Sequence, residues 1–382
     1  MNIKGNWNYP TTVWAGPGRL EELAAACRRL GMSRPLLVTD AGLAAAPMVA
    51  RALKLSGAAL FAKVKGNPTG RNVDDGLAAL RAGKHDGVIA FGGGSALDAA
   101  KAIALMAGQK LPLWDFEDVG DNFKRVDPDG MLPVVAVPTT AGTGSEVGRA
   151  SVITNEADHE KKIIFHPKMM PGIVISDPEL SVGLPPHITA ATGIDAFVHC
   201  FEAYCAPGFH PMAEGIALEG MRLVKEELPR AVADGTNIEA RARMLAAASM
   251  GAVAFQKGLG GVHALAHPVG ALYDTHHGLT NAVLLPFVMQ HNRKAIEGRM
   301  GLVARVLDLP RADYAAVFEW VLAFRKALQI PHTLAEIGVD AARAVEIGTM
   351  AARDPSAGGN PCPVDAPALE HIFRRAVAGT LD

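Results

Sequence analysis

The chain has 382 residues, 49% of them hydrophobic and 20% charged, with a formal net charge of −2. That length and apolar content predict a globular protein of about two or three domains, and the scattered Lys and Arg form no basic stripe, so neither nucleic acid nor an anionic membrane surface is an expected partner. Cys27, Cys200, Cys205 and Cys362 make no C-x-x-C pair, no apolar run reaches roughly eighteen residues, and the first residues lack a secretory pattern; reduced thiols in the cytoplasm are the expectation.

Residues 1–180 alternate strand and helix signals. "GRLEELAAACRRLG" (18–31) has helical periodicity and "RPLLVTD" (34–40) reads as a buried strand. "ALFAKV" (59–64) is a second strand, and "NVDDGLAALRAG" (72–83) a helix with Asn72 as its cap. "DGVIAFGGGSALDAAKAIALMAG" (86–108) reads strand, glycine turn, helix; "LPVVAVPTT" (132–140) and "GIVISD" (172–177) are strands. The alternation predicts a mostly parallel sheet with helices on both faces. After the Pro-rich stretch at 177–186 the texture changes. Helical periods follow at 188–205, 211–234, 238–257, 280–296, 313–327 and 366–378, so residues 181–382 are expected to be all-α. A cleft between two such domains is a common place for a small-molecule site.

The glycine turn places Gly92, Gly93, Gly94 and Ser95 between a strand and a helix. A tight turn opening on a helix N-terminus suits a pyrophosphate, through free N–H groups and a partial positive charge. A plain strand-to-helix connection would read the same way, because the stretch lacks both G-x-G-x-x-G and the P-loop G-K-[ST]. "PTTAGTGSE" (138–146) adds Thr139, Thr140, Thr143 and Ser145 as donors at a strand C-terminus. Asp40 ends an earlier strand, where a carboxylate accepts from a ribose 2′-hydroxyl and repels a 2′-phosphate; that favours NAD over NADP. In a standard fingerprint the acid follows the glycines by about twenty residues, whereas Asp40 precedes them by about fifty.

Residues 263–277 hold four of the thirteen histidines: His263, His267, His276 and His277. If helical, His263 and His267 share a face, as do Asp195 and His199 in "TGIDAFVHCFEAY". A carboxylate among apolar neighbours needs a cation or strong hydrogen bonds. Two facing helices and a loop histidine would give a three-His, one-carboxylate site suited to Fe²⁺ or Zn²⁺. Spacing does not choose between His263 and His267, or between His276 and His277. His166, His187, His210, His291, His332 and His371 read as hydrogen-bonded core residues, and His85 and His159 as surface loops.

Taken in order, "GGGSALDAAKAIA", "PTTAGTGSEV", "GIDAFVHCFEAY" and "GGVHALAHPVGALYDTHHG" resemble the iron-containing (group III) alcohol dehydrogenases over nearly the whole chain. The resemblance implies the dehydroquinate-synthase-like architecture: an α/β dinucleotide-binding domain (1–180) and an all-α metal-binding and substrate domain (181–382). By motif, Asp195, His199, His263 and His277 would ligate the metal. His267 would be a non-ligating catalytic histidine near the nicotinamide. Gly92, Gly93, Gly94 and Ser95 would hold the pyrophosphate with Thr139, Thr140 and Thr143, Asp40 would select NAD, and Lys161, with Lys162 as competitor, would lie near the nicotinamide ribose. The implied reaction passes hydride between NAD(H) and a small primary alcohol or its aldehyde, in a cytoplasmic homodimer or larger homo-oligomer. A metal-independent reductase of maleylacetate type and a lyase or synthase on the same fold are the rivals. Gly148 stands where the family usually has Thr, which would widen the substrate pocket, and Phe255 and Cys362 are candidate pocket residues.

Overall fold

The computed structural model describes residues 5–7 and 11–381. The chain forms two compact units: one of the described residues through Thr140 with Gly144–Gly183, the other of Ala141–Thr143 with the described residues from Leu184 onward.

In the first unit the strands are β1 (Gly5–Trp7), β2 (Thr12–Ala15), β3 (Pro35–Asp40), β4 (Ala59–Val64), β5 (Gly87–Gly92), β6 (Val134–Pro138), β7 (Ala150–Asn155), β8 (Glu160–Phe165) and β9 (Ile173–Ser176). Seven of them make one sheet, ordered β1-β2-β9-β6-β5-β3-β4, parallel except for β1. β3, β5, β6 and β9 are buried almost throughout, which explains their continuous apolar runs: a parallel strand covered on both faces has no polar side to show. Leu37, Ile89, Phe91, Val135, Val137, Ile173 and Ile175 pack with Leu23 and Cys27 of helix α1 (Leu23–Arg29) and Val49 and Ala52 of α2 (Pro47–Ser56).

Helices α3 (Gly70–Ala82) and α4 (Gly94–Met106) complete this unit. Asn72 is not the cap of α3. Thr69 is: its hydroxyl accepts from the Asn72 N–H while the Asn72 side chain accepts from the Thr69 N–H. Asn72 therefore serves as the third residue of a capping box. The strands β1 and β2, the helix α2 and the antiparallel β7–β8 hairpin were not read from the sequence.

The second unit is helical: α5 (Pro186–Cys205), α6 (Pro211–Ala233), α7 (Ile238–Ala254), α8 (Gly261–Tyr273), α9 (His277–Val306), α10 (Tyr314–Ala327), α11 (Ala344–Arg353) and α12 (Ala366–Ala378). From Thr189 to Cys205 every residue of α5 except Thr192 is buried, so this helix is the axis of the unit's core rather than an amphipathic wall. α9 begins three residues before and ends ten residues after the expected 280–296, and α11 was not expected. Among the described residues no helix is long and apolar enough to cross a membrane. Of the six histidines expected in the core none is fully buried: His187, His332 and His371 are exposed, and His166, His210 and His291 are half-buried.

Candidate metal centre and cofactor-binding turn

The five consecutive parallel strands β3, β4, β5, β6 and β9 lie in the spatial order 2-1-3-4-5. In that order the chain changes direction between its first and third strands, and ligands bind at the carboxyl ends there. Those ends are Asp40 on β3 and Gly92 on β5, neighbours in the sheet. This accounts for the inverted spacing: the acid belongs to the first strand of the wound sheet and the glycines to the third, so the acid comes earlier in the chain.

Gly92 adopts φ +139°, and a Cβ there would lie 2.9 Å from Ala96 Cβ and 3.4 Å from Asp40 Oδ2. Both backbone shape and space therefore require glycine at this turn. Gly93 is the N-cap of α4 and supplies no side chain to it, leaving the first N–H groups of the helix open to a ligand. Thr140 Oγ1 would be 3.3 Å from a Cβ on Gly93, and the Thr139 N–H donates to the Gly92 carbonyl at 3.0 Å. Asp40 Oδ1 accepts from the Leu43 N–H at 3.0 Å, and the Ser95 hydroxyl donates to the Gly66 carbonyl. Thr143 lies in the short segment assigned to the second unit, where Gly142 sits against Thr192 of α5 with no room for a Cβ.

Lys161 and Lys162 are successive residues of β8 and point to opposite faces. Lys162 is paired with Asp158 at 3.1 Å and Glu117 at 3.4 Å. Burial lowers its pKa, but those carboxylates outweigh it and the net shift is upward. Gly148 lies beside the buried Lys101. A Cβ there would point at Ser145 O (3.5 Å) and Lys101 Nζ (3.6 Å), both ordinary contact distances. The Lys101 ammonium is buried and donates to the carbonyls of Ser145 (3.0 Å) and Ala150, with Asp98 Oδ1 at 3.3 Å. Burial pushes its pKa down against the pull of Asp98. Asp98 also accepts from the Ser145 hydroxyl at 2.5 Å and the Val152 N–H at 3.0 Å. Position 148 thus belongs to a knot tying the 145–152 segment to α4.

In the second unit, Asp195 and His199 come from α5, His263 from α8 and His277 from the first position of α9; one ligand atom of each lies within 4.8 Å of all the others. The close approach of α9 to α5 depends on Gly278, where a Cβ would lie 2.6 Å from the Ala191 carbonyl oxygen and 3.0 Å from Asp195 Cβ. His276 stays outside the group and caps α9, its Nδ1 accepting from the Leu279 N–H at 3.3 Å. His267, one turn after His263, is also outside it. Its Nδ1–H donates to Asp354 Oδ2 at 2.7 Å, and its ring stacks 5.5 Å from that of His277. The Phe255 ring lies 5.2 Å from that of His199, and the Cys362 thiol donates to Asn292 Oδ1 at 3.0 Å.

Three partners were missed by sequence reasoning. Glu202 Oε2 accepts from His263 Nδ1–H at 2.6 Å, and Oε1 accepts from the Val262 N–H at 2.8 Å, so one carboxylate both caps α8 and fixes the His263 tautomer. Burial alone would lower the His263 pKa, but Glu202 outweighs it and makes the ring more basic. Burial holds His199 neutral, with its pKa lowered to about 4 despite Asp195. Asn281 Nδ2 lies 2.7 Å from Asp195 Oδ1 and 3.1 Å from Nε2 of both His263 and His277. Asp354, the third, is the Nδ1 partner of His267. Glu202 carried a signal: with Asp195 and His199 it completes an i, i+4, i+7 face on a buried helix. Asn281 is likewise four residues after His277, whereas Asp354 is 87 residues from its partner and gave none.

This donor set fits a divalent transition metal. An amide has two N–H hydrogens, yet three acceptor atoms surround that of Asn281 and His199 adds a fourth ligand atom. A buried surplus of lone pairs, one of them on a carboxylate, is costly without a cation. Three imidazoles and a carboxylate suit Fe²⁺ or Zn²⁺.

The first unit is a wound parallel sheet with a helix N-terminus at its switch point, and the second is helical with a largely buried His₃Asp cluster that could hold a metal, features of an α/β-plus-α enzyme class. Comparison with known proteins narrows it. The model of the iron-containing alcohol dehydrogenases matches residues 10–178, and that of the family's C-terminal domain matches 189–377. The chain is 40% identical to the 4-hydroxybutyrate dehydrogenase of Cupriavidus necator, over 87% of this chain and 89% of that one. It is 35% identical to the 1,3-propanediol dehydrogenase of Klebsiella pneumoniae, over 96% and 97% respectively. A crystal structure of a 1,3-propanediol oxidoreductase superposes with TM-score 0.90 at 34% identity, covering 98% of this chain and 100% of that one. The sulfoacetaldehyde reductase of Bifidobacterium kashiwanohense, solved with NAD⁺, superposes with TM-score 0.87 at 27% identity, covering 98% of each chain. The chain belongs to the iron-containing alcohol dehydrogenase family and is an alcohol oxidoreductase.

Proposed function

We propose that the protein interconverts a small primary alcohol and its aldehyde with NAD(H), using a divalent ion, Fe²⁺ or Zn²⁺, held by Asp195, His199, His263 and His277. The observation carrying this reading is the convergence of those four ligand atoms within 4.8 Å, three of them on buried residues and His277 half-buried, with Glu202 orienting His263. When bound, the ion supplies Lewis acidity toward the substrate oxygen and the nicotinamide accepts or returns the hydride.

The chain's own residues divide the remaining work. The Asp40 carboxylate accepts from the ribose 2′-hydroxyl and disfavours a 2′-phosphate. Gly92, Gly93, Gly94 and Ser95 bring backbone N–H groups of the α4 N-terminus to the pyrophosphate, with Thr139, Thr140 and Thr143 as further donors. Lys161 reaches the nicotinamide ribose, with Lys162 as the alternative. His267 takes or gives the substrate's hydroxyl proton at Nε2. The activities named for the relatives, on 4-hydroxybutyrate and 1,3-propanediol, favour terminal hydroxyls on short chains. The complete donor set disfavours a metal-independent reductase. The test is NADH oxidation by a panel of short aldehydes after anaerobic loading with Fe²⁺ or Zn²⁺, with and without chelator. The reading expects chelator-sensitive turnover with NADH favoured over NADPH; chelator-resistant turnover would contradict it.

A further inference from the structure

The His267–Asp354 contact reaches beyond the proposed ligand set. Asp354 follows the last residue of α11, and its side chain is nearly buried, with relative exposure of 8%. Its two oxygens have separate tasks. Oδ1 accepts from the Ser356 N–H at 2.8 Å, capping the turn at Pro355–Gly359, and Oδ2 accepts from His267 Nδ1 at 2.7 Å. A carboxylate can only accept, so Nδ1 carries a proton, and in the neutral ring Nε2 then keeps its lone pair. Burial would raise the Asp354 pKa, but His267 and the Ser356 donors outweigh it, keeping the group an anion.

We propose that Asp354 is a positioning residue that holds His267 as the Nδ1–H tautomer, leaving Nε2 unprotonated to receive the hydroxyl proton during alcohol oxidation. This rests on the proton-relay reading of His267 given above. In the step, the substrate O–H bond breaks, its proton goes to Nε2, and the imidazolium keeps Nδ1–H on the Asp354 carboxylate. The reverse step returns that proton from Nε2.

Asp354→Asn separates this role from the cap. The Ser356 N–H still requires an acceptor, so the amide oxygen stays there and the NH₂ turns to His267. An NH₂ facing Nδ1 demands an unprotonated Nδ1, which moves the ring proton to Nε2. We expect kcat to fall at least roughly 100-fold and up to about 10⁴-fold, the loss when an Asp→Asn change imposes the wrong tautomer on a catalytic histidine, with metal content and KM for the alcohol little changed. In a His267→Ala background, Asp354→Asn should cost nothing further, because the two act as one unit. A purely capping role, which Asn preserves, would leave activity unchanged in both backgrounds; that result, or an equal loss in both, would overturn the proposal. Independently of turnover, long-range ¹H–¹⁵N spectra of histidine-labelled, Zn²⁺-loaded protein, with His267 assigned by its Ala variant, should show Nδ1–H in the unsubstituted protein and Nε2–H in Asp354→Asn. Nε2–H in the unsubstituted protein would overturn the proposal even if the variant failed to fold. If His267→Ala leaves kcat unchanged, the relay reading itself fails; if it lowers kcat while Asp354→Asn does not, only the role of Asp354 fails.

Discussion

Gly278→Ala offers a sharp test of how the cluster is assembled. The added Cβ would sit 2.6 Å from the Ala191 carbonyl oxygen, about 0.8 Å inside the 3.4 Å at which ordinary contact begins. Its obstacle is the backbone of α5, which cannot rotate away as a side chain can. The first turn of α9 must therefore lift by several tenths of an ångström, carrying His277 away from Asp195 and His199. Metal–ligand distances tolerate only about 0.2 Å. Overpacking of this kind costs roughly 1–3 kcal/mol, and if most of it falls on the metal-bound geometry, affinity drops about 5–150-fold at about 1.4 kcal/mol per decade. Gly298→Ala on the same helix is the control. A Cβ at Gly298 meets nothing within 4 Å, so it should stabilise α9 by roughly 0.5–1 kcal/mol and leave metal binding alone. Competition of Zn²⁺ against a chromophoric chelator measures both variants. Wild-type affinity in Gly278→Ala, or equal behaviour of the two, would refute the reasoning.

Glu202→Gln should weaken metal binding about 10–100-fold, because the Val262 N–H keeps the amide oxygen and turns the NH₂ toward His263 Nδ1; the same competition assay checks it. Asp40→Gly should shift the NADP/NAD ratio of kcat/KM toward NADP by about 10–100-fold, matching roughly 1.5–3 kcal/mol for a charge-assisted bond, and an unchanged ratio would remove Asp40 from the ribose site. Lys101→Met should destabilise the protein by about 3–5 kcal/mol in urea unfolding, since it leaves Asp98 and two backbone carbonyls without their buried ammonium.

The elements that could be read from sequence were those whose patterns have one physical cause. β3, β5, β6 and β9 are buried on both faces, and their unbroken apolar runs say so. The pairing of Asp195 with His199 four residues later needed only helical geometry. Strand order was not legible, so the spacing of Asp40 ahead of Gly92 looked anomalous until the 2-1-3-4-5 winding explained it. The choice of His277 over His276 turns on where α9 begins, and a histidine acting as an N-cap is not an obvious reading of "DTHHG". Pro268 lies inside α8, and its presence obscured the helix that carries both His263 and His267. Asp354 depends on the packing of residues distant along the chain, which no local pattern reports.

The central claim, a single cation shared by four side chains, is most directly tested by anomalous diffraction from crystals of the Fe²⁺- or Zn²⁺-loaded protein. One ion should appear about 2.0–2.2 Å from a carboxylate oxygen of Asp195 and from a ring nitrogen of each of His199, His263 and His277, with His267 outside that shell. An ion bound elsewhere, or bound by His267 or His276 in place of one of the four, would contradict the account.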